Sequence, residues 1–127
     1  MAGQCYVNSA WRTITSEIVL TTGTKYRATL TYDGITEILY INGEPIASLN
    51  LTGSIASSVA PMSMGGNPTA SGWDSQTFNG KIYSASIYNR ALSSSEVLAN
   101  FTEIIQKEFD QWKKEAKEKV NKLKKGK

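Results

Sequence analysis

The residues best suited to hold a ligand lie in one loop, residues 66–77, which is rich in Gly, Asn, Ser and Pro. This loop carries Asn67, Trp73, Asp74 and Gln76. An indole ring can stack on the apolar face of a ligand such as a sugar, and amide or carboxylate groups can hydrogen-bond its hydroxyls. We therefore predict these four side chains as the ligand-binding residues. The alternative for Trp73 is that its ring packs down on the body of the domain.

Nucleophilic catalysis finds little support in the residue types. The sequence contains no histidine, which removes the Ser-His and Cys-His pairs that activate a nucleophile. Cys5 is the sole cysteine, so no intrachain disulfide can form. We expect Cys5 to be a small, half-buried strand residue, and Trp11 to belong to the core.

Size and composition fit one small globular domain. The chain has 127 residues, of which 40% are hydrophobic, and no apolar run approaches the roughly 20 residues of a membrane-spanning helix. The N-terminal residues lack the basic and then apolar pattern of a signal peptide. We expect synthesis in the cytoplasm, with incorporation into a virus particle as one route out of the cell, and leave the final location open.

The first 90 residues read as short strands joined by turns. Residues 25–51 give the clearest pattern, because apolar and polar residues alternate with period two and the pairs Asp33-Gly34 and Asn42-Gly43 mark tight turns. This predicts an antiparallel meander of three strands. Further strands are predicted before it at residues 4–8 and 11–20, and after it at residues 60–65 and 78–89.

The C-terminal part of the chain predicts a long amphipathic helix. Ser93 followed by Glu96 is a capping box, which satisfies backbone N–H groups at a helix start. Apolar residues then recur every three or four positions on one stripe, from Leu98 to Leu123. Residues 1–92 are therefore predicted as the β domain and residues 93–127 as the helix.

The net charge of +3 belongs to this helix. Residues 1–100 carry five basic and six acidic residues, whereas residues 101–127 carry nine lysines and five acids. The lysines favour either a solvated face that pairs with the helix's own glutamates or attraction to an anionic surface. No firm nucleic-acid or membrane partner follows from this pattern.

Five short segments, in order, carry a resemblance to a known family. They are LTYDG at 30–34, LYING at 39–43, MGG at 64–66, FNGKI at 78–82 and IYNRALS at 87–93 with Glu96. Together they resemble the second half of a laminin-G-like jelly-roll domain of the concanavalin A-like lectin/glucanase superfamily, over about residues 22–101. The predicted fold class is thus mainly β: a shortened antiparallel β-sandwich of the jelly-roll type, followed by a long C-terminal amphipathic α-helix.

The shortened front of the domain predicts a partner. Family members usually have several strands before the segment that matches residues 22–34, and here only about 20 residues precede it. A sandwich without those strands exposes apolar surface and open strand edges. The helix, a second subunit or a more compact strand arrangement could cover them. We favour a homo-oligomer or larger assembly that forms through the helix.

The resemblance also bears on chemistry. Glycan-hydrolysing relatives use clustered carboxylates on one strand. Here Glu37 and Glu44 flank a strand on opposite sides of a turn, and we expect both to be solvated and the protein not to be an enzyme. Many laminin-G-like domains bind Ca²⁺ through Asp and Asn oxygens, and Asp74 and Asn67 are the candidates for such a site. No other cofactor is expected.

Two functions remain open from the sequence. The first is a non-catalytic lectin-like module that recognises a glycan or a cell-surface partner as part of an oligomer. The second is a structural protein, such as a virion, tail-fibre or filament subunit, that uses the jelly roll as a building block.

Overall fold

Two antiparallel sheets, a short two-stranded ribbon and one long helix make up the described fold, which confirms the predicted sandwich-plus-helix architecture. The computed structural model describes residues 1–57, 59, 62–66, 68–69, 72–73 and 77–126, with the backbone alone at residues 68–69 and 72–73. The elements are β1 Ala2–Val7, β2 Ala10–Thr15, β3 Ala28–Tyr32, β4 Thr36–Ile41, β5 Glu44–Asn50, β6 Pro68–Thr69, β7 Gly72–Trp73 and α1 Ser94–Lys125.

The predicted meander is the three-stranded sheet, in the order β3-β4-β5. Its two turns form as their residues predict. The Asp33 carboxylate accepts hydrogen bonds from the backbone N–H groups of Ile35 and Thr36, at 2.9 and 2.7 Å. Asn42 and Gly43 both adopt positive φ, 53° and 87°, which is the backbone that a two-residue hairpin turn requires.

β1 and β2 form a second, two-stranded sheet that packs on one face of the meander. Its inward side includes Gly3 and Ile14, and a Cβ atom added at Gly3 would lie 2.7 Å from a methyl group of Leu30. Trp11 lies on the outward side and is 68% exposed, so its predicted place in the core is wrong. The register explains this, because Trp11 pairs with Tyr6 across the hairpin and their rings meet at 5.2 Å.

The core between the two sheets contains a buried carboxylate. Val7, Ile14, Leu39 and Ile41 are its buried apolar residues. Glu37 has the same strand parity as Leu39 and Ile41, so it points between the sheets and is fully buried. The expectation that Glu37 is solvated is therefore wrong.

Glu44, in contrast, is exposed at the start of β5, as expected.

The start of α1 covers the other face of the meander. Tyr40, Leu92 and Val97 form a buried cluster there, and the Tyr40 hydroxyl lies 3.1 Å from the Ser94 hydroxyl. The predicted capping box is confirmed, since Ser93 accepts a hydrogen bond from the Glu96 N–H and Glu96 accepts one from the Ser93 N–H.

Two predicted strands are not found among the described residues. The described part of residues 60–65 contains no strand, and residues 78–89 run without regular pairing. The Phe78 N–H donates a hydrogen bond of 2.7 Å to the Gly65 carbonyl. Alternating, β-branched residues favour an extended chain, but a strand also needs a neighbour within hydrogen-bonding distance.

α1 is 32 residues long and has one buried residue, Val97, near its N-terminus. Among the residues that the structure describes, no helix combines the length and the apolar character needed to cross a bilayer.

Candidate functional site

The structure leaves the predicted ligand loop largely untested. Asn67, Asp74 and Gln76 lie outside the described residues, and with them the calcium candidates. The backbone of Trp73 lies in β7, which pairs with β6 in a two-residue ribbon, Pro68 opposite Trp73. The loop's role in ligand or calcium binding therefore stays a prediction.

A groove of about 800 Å³ lies elsewhere, beside the outer edge of β3. Three parts of the chain line it: β3 with the residues just before it, the extended segment 78–90, and residues 100–108 of α1. We call it the β3 groove. β3 is an edge strand, and among the described residues no strand pairs with its outer side. The groove therefore occupies the place where another strand would complete the sheet.

Tyrosine rings form one wall of the β3 groove. Tyr83 is 68% exposed, and Phe78, Ile87 and Tyr88 are exposed along the same segment. A tyrosine ring presents a large, rigid apolar face with one polar end, which suits contact with an amphipathic ligand. The wall thus offers stacking surface to a molecule in the groove.

The ammonium group of Lys25 lies over the ring of Tyr83. The Lys25 ammonium lies 4.7 Å from the centre of the Tyr83 ring, within the range of a cation–π contact. The same ammonium donates a hydrogen bond of 2.8 Å to the Glu108 carboxylate on α1, and this contact raises the pKa of Lys25. Lys25 therefore links the strand side, the tyrosine wall and the helix, and it stays protonated at neutral pH.

Polar groups surround the rings. The Asn100 amide lies 3.3 Å from the Tyr88 hydroxyl, and Asn42 accepts a hydrogen bond from the Arg27 N–H. The Tyr26 hydroxyl accepts a hydrogen bond of 3.1 Å from the Thr21 N–H, which lowers the pKa of Tyr26. The groove thus places amide and hydroxyl groups next to aromatic faces.

Cys5, which lines the groove, lies beside the buried carboxylate of Glu37. Cys5 is half-buried, as predicted. Burial, together with the charge of the neighbouring Glu37, raises the pKa of the Cys5 thiol to about 12. Such a thiol is a poor nucleophile, because the thiolate is the reactive form.

Glu37 itself has no hydrogen-bond partner for either carboxylate oxygen. Tyr32 faces it across the strand pair, but the Tyr32 hydroxyl lies 2.7 Å from the carbonyl oxygens of Leu51 and Gly53 instead. Glu37 is therefore a buried polar group without compensation in the core, an arrangement that costs stability.

The described lining of the groove includes one carboxylate, that of Glu108, and Lys25 pairs with it. Glycoside hydrolysis uses two carboxyl groups that flank the bond. Within the described ranges, no group of three or more Cys, Asp or Glu side chains could hold a metal ion.

The sequence did not predict the β3 groove, because the segments that form its walls lie far apart in the sequence. Lys25 and Glu108 are separated by 83 positions, and no local pattern relates them. The sequence did contain a signal for the burial of Glu37, because Glu37 has the same strand parity as the apolar Leu39 and Ile41.

Comparison with known proteins supports the fold. The family model described as the concanavalin A-like lectin/glucanases superfamily, of the laminin G type, matches residues 3–98. A solved structure of an S-layer domain-containing protein from Clostridium thermocellum is similar at 28% identity, with a TM-score of 0.57. The match covers 72% of this chain but 45% of that one, so this chain spans less than half its length.

A search of curated proteins finds no match to this chain. The family match takes in the β1–β2 hairpin as well as the meander, the groove wall and the start of α1. This chain belongs to the concanavalin A-like lectin/glucanase superfamily, through a laminin-G-type domain.

Proposed function

We propose that this chain is a non-catalytic, lectin-like binding module that takes a glycan in the β3 groove. The observation that carries the proposal is the exposed tyrosine wall, with the Lys25 ammonium over the Tyr83 ring and amide and hydroxyl groups among the other lining residues. Sugars present apolar C–H faces to aromatic rings and hydroxyls to hydrogen-bonding groups, so both sides of a sugar find a partner here. Membership of a superfamily that includes lectins agrees with this assignment.

A glycan array, followed by titration of the best ligand, tests the proposal. Tyr83→Ala should weaken binding at least about tenfold, the loss of about 1.4 kcal/mol of contact energy. Trp11→Ala is the matched control, because Trp11 is also 68% exposed but lies on the outward side of the hairpin. Loss of binding with Trp73→Ala and not with Tyr83→Ala would place the ligand at the loop. An array with no glycan bound would refute the proposal.

Calcium binding by Asp74 and Asn67 stays a separate proposal of the same kind. Calorimetric titration with Ca²⁺ on the parent chain and on Asp74→Ala tests it, and absence of heat in the parent would end it.

A structural role in a surface assembly is the second candidate. The similar solved structure bears the name of an S-layer domain-containing protein, which favours a role at a surface. The apolar stripe that α1 leaves exposed favours association of subunits. Light scattering on the full chain tests this role, and a monomer at tens of micromolar would count against it.

A further inference from the structure

The C-terminal half of α1 leaves an apolar stripe without a partner in the chain. Beyond Glu108, the side-chain hydrogen bonds, ion pairs and ring contacts found in the described part of the chain stay within the helix. Trp112 is 63% exposed and Leu123 73% exposed, and Phe109 and Val120 are also exposed. A stripe of this length is the surface by which helices pair.

The stripe has an eleven-residue repeat. Its members fall into three series with that spacing, namely Leu98, Phe109 and Val120, then Phe101, Trp112 and Leu123, then Ile105 and Ala116. Eleven residues make three turns at about 3.67 residues per turn, close to a straight helix. Two such helices can therefore pair along residues 105–123 of the stripe with little supercoiling.

Charge divides the helix into two unlike halves. Residues 94–110 carry four acids and one lysine, whereas residues 111–125 carry seven lysines and two acids. A parallel pair would set the two basic halves side by side. An antiparallel pair sets the basic half of one helix against the acidic half of the other, and it also opposes the helix dipoles.

We propose that two copies of this chain pair through the α1 stripe in antiparallel orientation. This deepens the assembly role proposed above, on which it rests, by naming the partner and its direction. Residues 105–125 span about 30 Å at the rise of an α-helix. Ile105 also lines the β3 groove, but beyond Glu108 the side-chain bonds of α1 in the described residues stay within the helix, so the two domains can sit at opposite ends of the pair.

Side-chain size selects the same orientation. The stripe from Ile105 to Leu123 is nearly symmetric about its middle, so an antiparallel pair brings Ile105 level with Leu123 of the other copy. Trp112 then lies level with Ala116, and a large side chain meets a small one, which is how helix faces interdigitate. A parallel pair would place Trp112 against Trp112.

At each end of the region where the two helices overlap, an acidic side chain also comes level with a basic one. In the antiparallel alignment, Glu103 of one copy comes level with Lys125 of the other. A nucleic acid would engage the lysines and leave the apolar stripe in water. An anionic membrane would bury the stripe, but it would repel the acidic residues 94–110, which a second antiparallel copy pairs with its lysines.

Size-exclusion chromatography with light scattering is the first test. The full chain should run as a dimer, and Trp112→Glu should shift it to a monomer. Trp11→Glu is the control, since Trp11 has a similar exposure on the sandwich, and it should leave the dimer intact. Circular dichroism on all three proteins checks that the helix remains. A monomeric parent chain would overturn the pairing and the assembly role together; glycan binding, tested at Tyr83, is independent of both.

Cross-linking tests the direction. In a Cys5→Ser background, the single variants Ile105→Cys and Leu123→Cys are mixed and oxidised, and the linked peptides are identified by mass spectrometry. Antiparallel pairing should give the 105–123 link, because disulfides need closely spaced Cα atoms. Links of 105 to 105 and 123 to 123 would overturn the antiparallel orientation while the assembly role stands. Binding of a monomer to anionic vesicles or duplex DNA, lost in high salt, would overturn the proposal in favour of an anionic partner.

Discussion

Replacing Glu37 with methionine is expected to make this protein more stable. Glu37 is fully buried between the two sheets, and neither of its carboxylate oxygens has a hydrogen-bond partner. Methionine has a similar length, fits irregular apolar space and brings no polar group that needs a partner. Glu37→Met therefore removes a desolvation cost and fills the same volume.

The size of the gain follows from the burial. A buried polar group that lacks its partner costs about 1–3 kcal/mol, and more when it is charged. Unfolding entropy near 60 °C is about 2.1 cal/mol/K per residue, so for a chain of 127 residues this gain corresponds to a rise in Tm of about 4–11 °C. Glu37→Gln should gain less, because the buried amide still needs partners.

Thermal and urea unfolding of the variants checks the reasoning. Glu44→Met is the matched control: Glu44 is exposed one turn further along, and its replacement should change stability by no more than about 0.5 kcal/mol. A loss of more than about 1 kcal/mol in Glu37→Met would refute the argument, since it would mean that the carboxylate has a stabilising partner in the core.

Three further predictions concern other residues. Because burial and the neighbouring Glu37 raise the pKa of Cys5 to about 12, iodoacetamide at about pH 8 should modify the folded chain at least about a hundredfold more slowly than the unfolded chain, as followed by mass spectrometry. Equal rates would contradict this. Arg90 and the Ser93 N–H lower the pKa of Glu96 to about 2, so its stabilisation is complete above the ordinary glutamate range of about 4.3 and is lost as pH falls toward about 2. Acid unfolding of Glu96→Gln should lack that part of the pH dependence; an unchanged curve would count against the Glu96 contacts. Gly43→Ala should lower the urea midpoint more than Gly23→Ala, because both have positive φ but only the Cβ at residue 43 would meet Leu98, at 2.8 Å. Similar losses would mean that backbone strain alone decides.

The local part of the fold was predictable from sequence. The meander turns at Asp33-Gly34 and Asn42-Gly43, and the capping box of Ser93 and Glu96, appear where the residues place them. Each depends on groups within a few positions of one another, so neighbouring residues carry the whole signal.

The predicted strand at residues 78–89 and the predicted burial of Trp11 failed for one shared reason. Both depend on which segment pairs with or packs against these residues, and a local sequence pattern does not specify that segment. Residues 78–89 have the composition of a strand but no pairing strand among the described residues, and the hairpin register turns Trp11 outward beside Tyr6.

The candidate site also has a part that the sequence predicts, the loop, and a part that it does not, the β3 groove. The sequence supplied a loop of ligand-binding residues from composition, and that loop stays a prediction. The β3 groove was out of reach, because β3, segment 78–90 and α1 are joined there by contacts such as Lys25 with Glu108. Tyrosines that look like ordinary strand residues become an exposed aromatic wall beside β3, the edge strand of the sheet.

By itself the sequence determined the class of fold, the family, the helix and its charge, because periodicity, turn residues and capping are properties of short stretches of chain. Tertiary structure alone decided which carboxylate is buried, which aromatic rings are exposed and where a groove opens. Those outcomes depend on the packing of segments that are far apart in sequence, and Glu37 and Glu44, alike as residues and seven positions apart, end in the core and in water.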